Sequence, residues 1–171
     1  MKLIQLSLLL MVLCFTSCEK ENLNKDVLIT PGVGLGEITF SSTGSDVISK
    51  YGTYERLTVV RSLSNTSFVM WYDNGLGFQL EHFEIEDLSL REISDQKEEL
   101  IDVSQKVIQI VVMPPFEAVT TEGIRLGSPK ADVIAAYGES STTFGGELYE
   151  DLGLNIWYNS SDEVNRIDVT P

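Results

Sequence analysis

The side chains able to perform acid–base or metal chemistry form no complete catalytic set in this sequence. His82 is the only histidine, so a histidine-based zinc site would lack further ligands. A Ser-His-acid triad would have to use His82, and no nucleophile-elbow motif accompanies it. No phosphate loop, dinucleotide fingerprint or calcium loop is present. We therefore expect a protein that is not an enzyme and has no catalytic residue, metal or cofactor.

Carboxylates are abundant, and they leave two alternative functions open. The chain has 26 acidic and 12 basic residues, a net charge of −14. Glu98, Glu99 and Asp102 would lie close together on a helical turn, where they either bind a cation or form a solvated face. The alternatives are therefore an envelope hydrolase using paired carboxylates and an acidic cation-binding protein. The charge argues against nucleic acid as a partner and favours a basic protein.

Cys18 follows a segment with the features of a secretion signal. Residues 1–2 supply a positive start, residues 3–15 an apolar run too short to span a bilayer, and residues 16–17 two small side chains. The segment resembles the signal peptide of bacterial lipoproteins, although Phe15 stands where that family usually has leucine. The resemblance implies cleavage before Cys18 and attachment of lipid to it. The alternative is a plain signal peptide followed by an incidental cysteine.

This resemblance determines the expected location. We expect a signal peptide over 1–17, a flexible polar tether over 18–26 and a cell-envelope protein held by a lipid anchor, in the outer membrane of a Gram-negative bacterium and facing the periplasm or the surface. Cleavage removes Cys14, which leaves no cysteine pair for an intrachain disulfide. Stability must then come from core packing.

Three blocks of sequence occur twice in the same order, which indicates an internal repeat. Residues 38–52 align without gaps on 124–138, sharing Asp-Val-Ile and Tyr-Gly. Residues 72–80 resemble 149–156, and residues 107–114 resemble 164–171. We predict a first unit over 27–114, a linker over 115–121 and a second unit over 122–171.

Each unit is predicted to contain a short helix packed on an antiparallel β-meander of about three strands, which gives an α+β fold class. Helices are expected over 43–51 and 129–137, each ended by a glycine. Ser128 and Pro129 have the residue types of a helix start. Asn74-Gly75 is typical of a tight hairpin turn. The first unit also contains an acidic insertion, about residues 83–104, that the second lacks.

Trp71 and Trp157 are the candidate binding residues. Strand alternation places each on the face opposite the main apolar set of its strand. If helices cover that apolar set, both tryptophans lie on an open face and suit a protein interface. The alternative is that they are buried against each other or under the insertion.

The repeated pattern resembles the small α+β unit of SmpA/OmlA-type outer-membrane lipoproteins, and its duplication resembles the tandem architecture of the β-lactamase inhibitor protein. The shared pattern is Ile-x-Leu-Gly-Ser-x-x-x-Asp-Val-Ile-x-x-Tyr-Gly, a hairpin, then Val-x-x-Ile-x-Val. The resemblance implies a protein-binding surface without catalysis. We expect a membrane-anchored module that binds or assembles an envelope protein.

Overall fold

The computed structural model describes residues 27–61, 66–83, 88–140, 142–143 and 146–171. The predicted signal peptide, the tether and Cys18 lie outside these residues. The fold is mixed α+β with mostly antiparallel sheets, as predicted. In chain order the elements are β1 (Val27–Thr30), β2 (Gly34–Leu35), β3 (Ile38–Thr39), α1 (Gly44–Tyr51), β4 (Arg56–Arg61), β5 (Thr66–Trp71), β6 (Leu76–Phe83), α2 (Leu90–Asp95), α3 (Lys97–Leu100), β7 (Val107–Val112), β8 (Ala118–Thr120), α4 (Lys130–Tyr137), β9 (Thr142–Thr143), β10 (Gly146–Tyr149), β11 (Leu154–Tyr158) and β12 (Val164–Val169).

The strands form two sheets. The large sheet has the order β4-β5-β6-β7-β12-β11-β10-β9, and its neighbouring strands are antiparallel. The small sheet has the order β3-β2-β1-β8, in which β1 and β8 run parallel. Strand β8 lies within the segment predicted to be a linker, so that segment belongs to a sheet.

The two predicted helices are confirmed as α1 and α4. In α1, the Thr43 hydroxyl accepts a hydrogen bond from the Asp46 amide and the Asp46 carboxylate accepts one from the Thr43 amide, which forms a capping box. Both helices end at glycines with positive φ, Gly52 and Gly138. The expected cap of α4 by Ser128 is wrong: its hydroxyl accepts from the Arg125 amide, and no side chain caps this helix.

One hydrophobic core lies on a single face of the large sheet. It contains Val47 of α1, Val133 of α4 and Ile29 of β1, each fully buried, together with inward residues of the large sheet. We call α1, α4 and the small sheet the covering layer, because they pack on this face. Val69 and Val111 are buried but belong to no part of this core, since alternation places them on the other face of the sheet.

The acidic insertion packs against strand β4 through α2 and α3. Ile93 of α2 is fully buried in the core. Lys97 donates to the backbone oxygen of Leu57 at 2.9 Å, and Arg61 donates to that of Leu88 at 3.1 Å. These bonds cover part of the exposed edge of β4, the kind of edge that otherwise invites pairing with another chain.

Two tyrosines fix the ends of the two helices to the large sheet. The Tyr72 hydroxyl donates to the Gly52 carbonyl at 3.1 Å, and the Tyr149 hydroxyl donates to the Gly138 carbonyl at 3.0 Å. Helix-end carbonyls have no partner within the helix, so each bond satisfies a group that burial would penalise. Burial raises the pKa of both hydroxyls above the ordinary tyrosine value, so they stay protonated donors even in moderately alkaline solution.

We predict that Tyr72→Phe and Tyr149→Phe each lower the free energy of unfolding by about 0.5–1.5 kcal/mol, because each loses one hydrogen bond. Tyr158→Phe is the matched control, since the buried Tyr158 hydroxyl has no hydrogen-bond partner among the described residues. That change should be neutral or stabilising. Urea denaturation of the three variants measures the difference. Equal losses in all three would contradict the role of the two bonds.

Candidate functional site

The uncovered face of the large sheet is the candidate site, and we call it the open face. Its outward residues include Trp71 on β5 and Trp157 on β11, as alternation predicts. The two strands are separated by β6, β7 and β12. Four strand spacings of about 4.8 Å place the tryptophans about 19 Å apart across the sheet. They are therefore not buried against each other.

Each tryptophan lies over a glycine of the neighbouring strand. Trp71 pairs in register with Gly77, and Trp157 pairs with Gly146. A Cβ atom at Gly77 would lie 2.6 Å from Cζ3 of Trp71, and one at Gly146 would lie 3.2 Å from Cδ2 of Trp157. The absence of a side chain at these positions leaves room for each indole ring to lie across the sheet.

An arginine lies over each indole ring from the other neighbouring strand. The guanidinium carbon of Arg56 is 5.3 Å from the centre of the Trp71 ring, and that of Arg166 is 5.7 Å from the centre of the Trp157 ring. Both arginines pair in register with their tryptophan. Cation–π attraction of this kind contributes about 0.5–1 kcal/mol at exposed sites. It also holds the ring in one orientation.

Trp157 is held further by a buried carboxylate. Asp168, 2 % exposed, accepts bonds from Nε and Nη2 of Arg166 at 2.6 and 2.9 Å and from Nε1 of Trp157 at 3.1 Å. Two parallel bonds from one guanidinium form the bidentate geometry that orients arginine best. The indole, the guanidinium and the carboxylate therefore form one rigid unit. Beside it is a pocket of about 420 Å³ lined by Met113, Pro114, Trp157, Tyr158, Asn165 and Arg166.

The open face carries little net charge on a strongly acidic protein. Its charged strand residues, assigned by alternation within the described part of the sheet, are Arg56, Glu81, Arg166 and Asp168, and they cancel. Neutral outward positions include Gln79 and Gln109 in the middle of the sheet. Most of the 26 acidic residues therefore lie elsewhere.

The predicted carboxylate cluster of the insertion does not assemble into a metal site. Glu98 accepts a hydrogen bond from the Tyr54 hydroxyl at 2.8 Å. Burial, and after it this bond, raise the pKa of that tyrosine to about 12. Asp102 instead accepts bonds from the Ser104 amide and from Gln105, and these lower its pKa. Within the described ranges, no group of three or more acidic, histidine or cysteine residues could hold a metal ion. His82 lies in β6, and its side chain is outside the described set.

A buried carboxylate paired with a partly exposed lysine of α4 is the feature that sequence reasoning missed. Glu147, 3 % exposed, lies on the core face of β10, and Lys130 of α4 is 2.7 Å from its carboxylate. Ser140 also donates to Glu147, and Lys130 lies over the Tyr158 ring. Burial opposes ionisation of Glu147, but the bonds from Lys130 and Ser140 outweigh it and lower its pKa. No signal in the sequence marks Glu147 as buried except that alternation places it on the same face as Tyr149, which is buried in the core.

We predict that the double change of Glu147→Met and Lys130→Met leaves the free energy of unfolding unchanged or raises it by about 1–4 kcal/mol, because an ion pair with a buried carboxylate returns little of its desolvation cost. Lys130→Met should be the more destabilising change, since it leaves the carboxylate buried without its cation.

The pH dependence provides a second measurement. The lowered pKa of Glu147 means that the wild-type pair contributes its stability above the unfolded-state pKa and loses it as the pH falls through the folded-state pKa. Acid titration of urea-denaturation midpoints should show a shallower loss in Glu147→Met than in wild type. An unchanged acid profile would contradict this role.

We also predict that Gly77→Val displaces the Trp71 ring from the sheet, because the new Cβ would overlap it. Valine suits a strand, so the fold should persist. In a Trp157→Phe background the fluorescence reports Trp71 alone, and acrylamide quenching should increase. Gly77→Val in a Trp71→Phe background is the control: the quenching of Trp157 should not change. Unchanged quenching of Trp71 would refute the packing described.

The chain was compared with protein-family models, curated proteins and solved structures, and none of them matches it.

Proposed function

We propose that this protein is a lipid-anchored envelope protein that binds another protein through its open face and performs no catalysis. The observation that carries the proposal is the pair of tryptophans held rigidly on one open face. Tryptophan and arginine are enriched among residues that dominate protein–protein binding energy. Rigid side chains also lose little conformational freedom on binding.

The size of the open face supports a protein partner. Eight strands span about 34 Å, and strands of five to six residues are about 20 Å long, which gives roughly 700 Å². A stable interface buries about 800 Å² on each partner. The neutral centre and the acidic remainder of the molecule favour a partner with an uncharged contact surface and basic residues around it.

The order of strands supports the finer proposal of two tandem units. Strands β4–β7 follow α1 and strands β9–β12 follow α4, and the two groups meet at β7 and β12 in mirrored order. The bonds from Tyr72 to Gly52 and from Tyr149 to Gly138 are equivalent under the sequence alignment. Under this interpretation the part that the two units share is one helix and four strands, one strand more than the sequence indicated.

The resemblance to SmpA/OmlA-type lipoproteins and the β-lactamase inhibitor protein agrees with this proposal, because it implies a small α+β unit used as a binding surface. Lipid attachment at Cys18 and an outer-membrane location are part of the same proposal. None of the helices in the described ranges has the length and hydrophobicity needed to cross a membrane.

The proposal predicts partner contact at the open face in intact cells. A photo-crosslinking residue replacing Gln109, in the middle of the sheet, should give a defined protein adduct. Trp71→Ala combined with Trp157→Ala should reduce that adduct about 30-fold or more, the effect of losing roughly 2 kcal/mol of binding energy. Cys18→Ser should release the protein from the membrane or leave its signal peptide uncleaved.

The matched control is a crosslinker replacing Leu90, an exposed apolar residue on α2, outside the open face. It should give no adduct of the same mass. Thermal melts of the tryptophan variants verify that the fold is retained. An adduct that survives the loss of both tryptophans, or that forms equally from position 90, would refute binding at the open face.

A further inference from the structure

We propose that the pocket beside Trp157 anchors the partner by taking one of its aromatic side chains together with the uncharged backbone carbonyl next to that side chain. This inference rests on the proposed function, because it takes the ligand to be a residue of the partner protein. We call this cavity the anchor pocket. Its volume of about 420 Å³ lies within the range of pockets that hold small ligands, so one aromatic residue fits inside it.

The anchor pocket lies at one end of the junction between β7 and β12, at the margin of the open face. Val112 of β7 pairs with Ile167 of β12. The next residues along these two antiparallel strands are Met113 and Arg166, and both line the pocket. A partner that covers the open face therefore reaches the pocket without leaving the sheet.

A β-bulge in β12 shapes this pocket. Arg166 pairs with Trp157, and Val164 pairs with Tyr158. Asn165 is therefore the extra residue, with no counterpart on β11. A bulge redirects the side chains of its strand, and here two consecutive residues, Asn165 and Arg166, line the same pocket.

Most of the pocket wall is apolar. Met113 contributes a thioether and Pro114 a ring. The indole N–H of Trp157 is bonded to Asp168, and the Tyr158 hydroxyl is buried, so both side chains have only ring carbons to offer an occupant. Aromatic rings pack favourably on other rings and on sulfur. The wall therefore favours an aromatic occupant over an aliphatic one of similar size.

Two hydrogen-bond donors at the pocket can bind an acceptor on the ligand. Arg166 donates to Asp168 from Nε and Nη2, and its Nη1 has no hydrogen-bond partner within the described residues. The side-chain amide of Asn165, an exposed residue, likewise has none in the described part of the chain. Every residue of a partner carries a backbone carbonyl that needs a donor once it is buried. These two side chains supply one.

The charge of the pocket favours an uncharged ligand. No acidic side chain lines it, although two other pockets within the described ranges have acidic walls, with Glu37 and Asp46 in one and Glu139, Glu150 and Asp151 in the other. A basic side chain is better accommodated in those two pockets. Asp168 cancels the charge of Arg166, and the net charge of −14 repels anions. A carboxylate therefore gains little in the anchor pocket.

The test uses N-acetyl-L-phenylalaninamide, which carries the aromatic side chain and uncharged carbonyls, and the intact purified protein labelled with ¹⁵N. The indole N–H signals of Trp71 and Trp157 report binding, and Trp71→Phe assigns them. At the efficiency of ordinary ligands, a probe of about 15 non-hydrogen atoms should bind with a Kd of about 1 mM. The Trp157 signal should shift saturably. The Trp71 signal, about 19 Å away across the sheet, should not shift.

Three control probes separate the parts of the ligand. N-acetyl-L-leucinamide should bind about 3–10-fold more weakly, because it lacks the ring. N-acetylglycinamide should cause no saturable shift, and N-acetyl-L-phenylalaninate should bind no more tightly than the amide. Equal binding of the leucine probe, tighter binding of the carboxylate probe, or the absence of a saturable shift at Trp157 overturns the proposal.

Two variants test the donors. Arg166→Lys keeps a cation beside Asp168 but loses the guanidinium fork, and it should weaken binding of the amide probe about tenfold. Arg125→Lys, at an exposed position outside the open face, is the matched control and should bind as wild type does. Asn165→Ala supplies a second variant should Arg166→Lys fail to fold, and a loss of about threefold is expected from it. Wild-type binding in a folded Arg166→Lys or Asn165→Ala variant contradicts the role of that donor.

Competition connects the pocket to the partner. In membranes that carry the photo-crosslinker in place of Gln109, the amide probe at ten times its Kd should reduce the adduct about tenfold, because it occupies most of the pockets. An adduct that persists under these conditions overturns the anchor, whereas the absence of any adduct without the probe contradicts the proposed function. Binding of the probe to the purified protein is measured independently of both.

Discussion

The pairing of β7 with β12 is the constraint on which the rest of the structure depends. Three pairs of residues, Ile110 with Val169, Val111 with Asp168 and Val112 with Ile167, join two four-stranded groups into one sheet. Without this junction each group would expose an edge and leave half of the core without a neighbour. The same junction places Asp168 beside Val111, so it also sets the distance between the two tryptophans. The open face exists as one surface only because these strands pair.

The local features of the fold were predictable because their signals lie close together in sequence. Gly52 and Gly138 mark helix ends by residue type alone, and alternation correctly placed Trp71 and Trp157 on the face opposite the core. The small sheet was not predictable, because its strands are short and β1 pairs with a strand about ninety residues away. Ser128 failed as a cap because its hydroxyl had another local partner, the Arg125 amide.

The environment of each tryptophan could be predicted only in part. The sequence contains Gly77 and Gly146, but their function depends on register, which fixes the glycine that lies beside a given indole. Glu147 is the clearest example of a feature that could not be predicted from the sequence. It occupies an inward strand position, and only the approach of Lys130 from α4 makes a carboxylate tolerable there. Contacts between elements that are distant in the sequence decide whether a carboxylate is tolerated at a buried position. The amino-acid composition does not show these contacts.

The parallel pairing of β1 with β8 has a mechanical consequence. If Cys18 is anchored, any tension between the membrane and a bound partner enters the protein at Val27. Strand β1 is hydrogen-bonded to β2 and β8, so the force is shared by bonds that must break together as β1 slides past β8. The force therefore does not enter the protein through the large sheet. A pull on the lipid would therefore strain the small sheet first, while the two indole rings keep their positions.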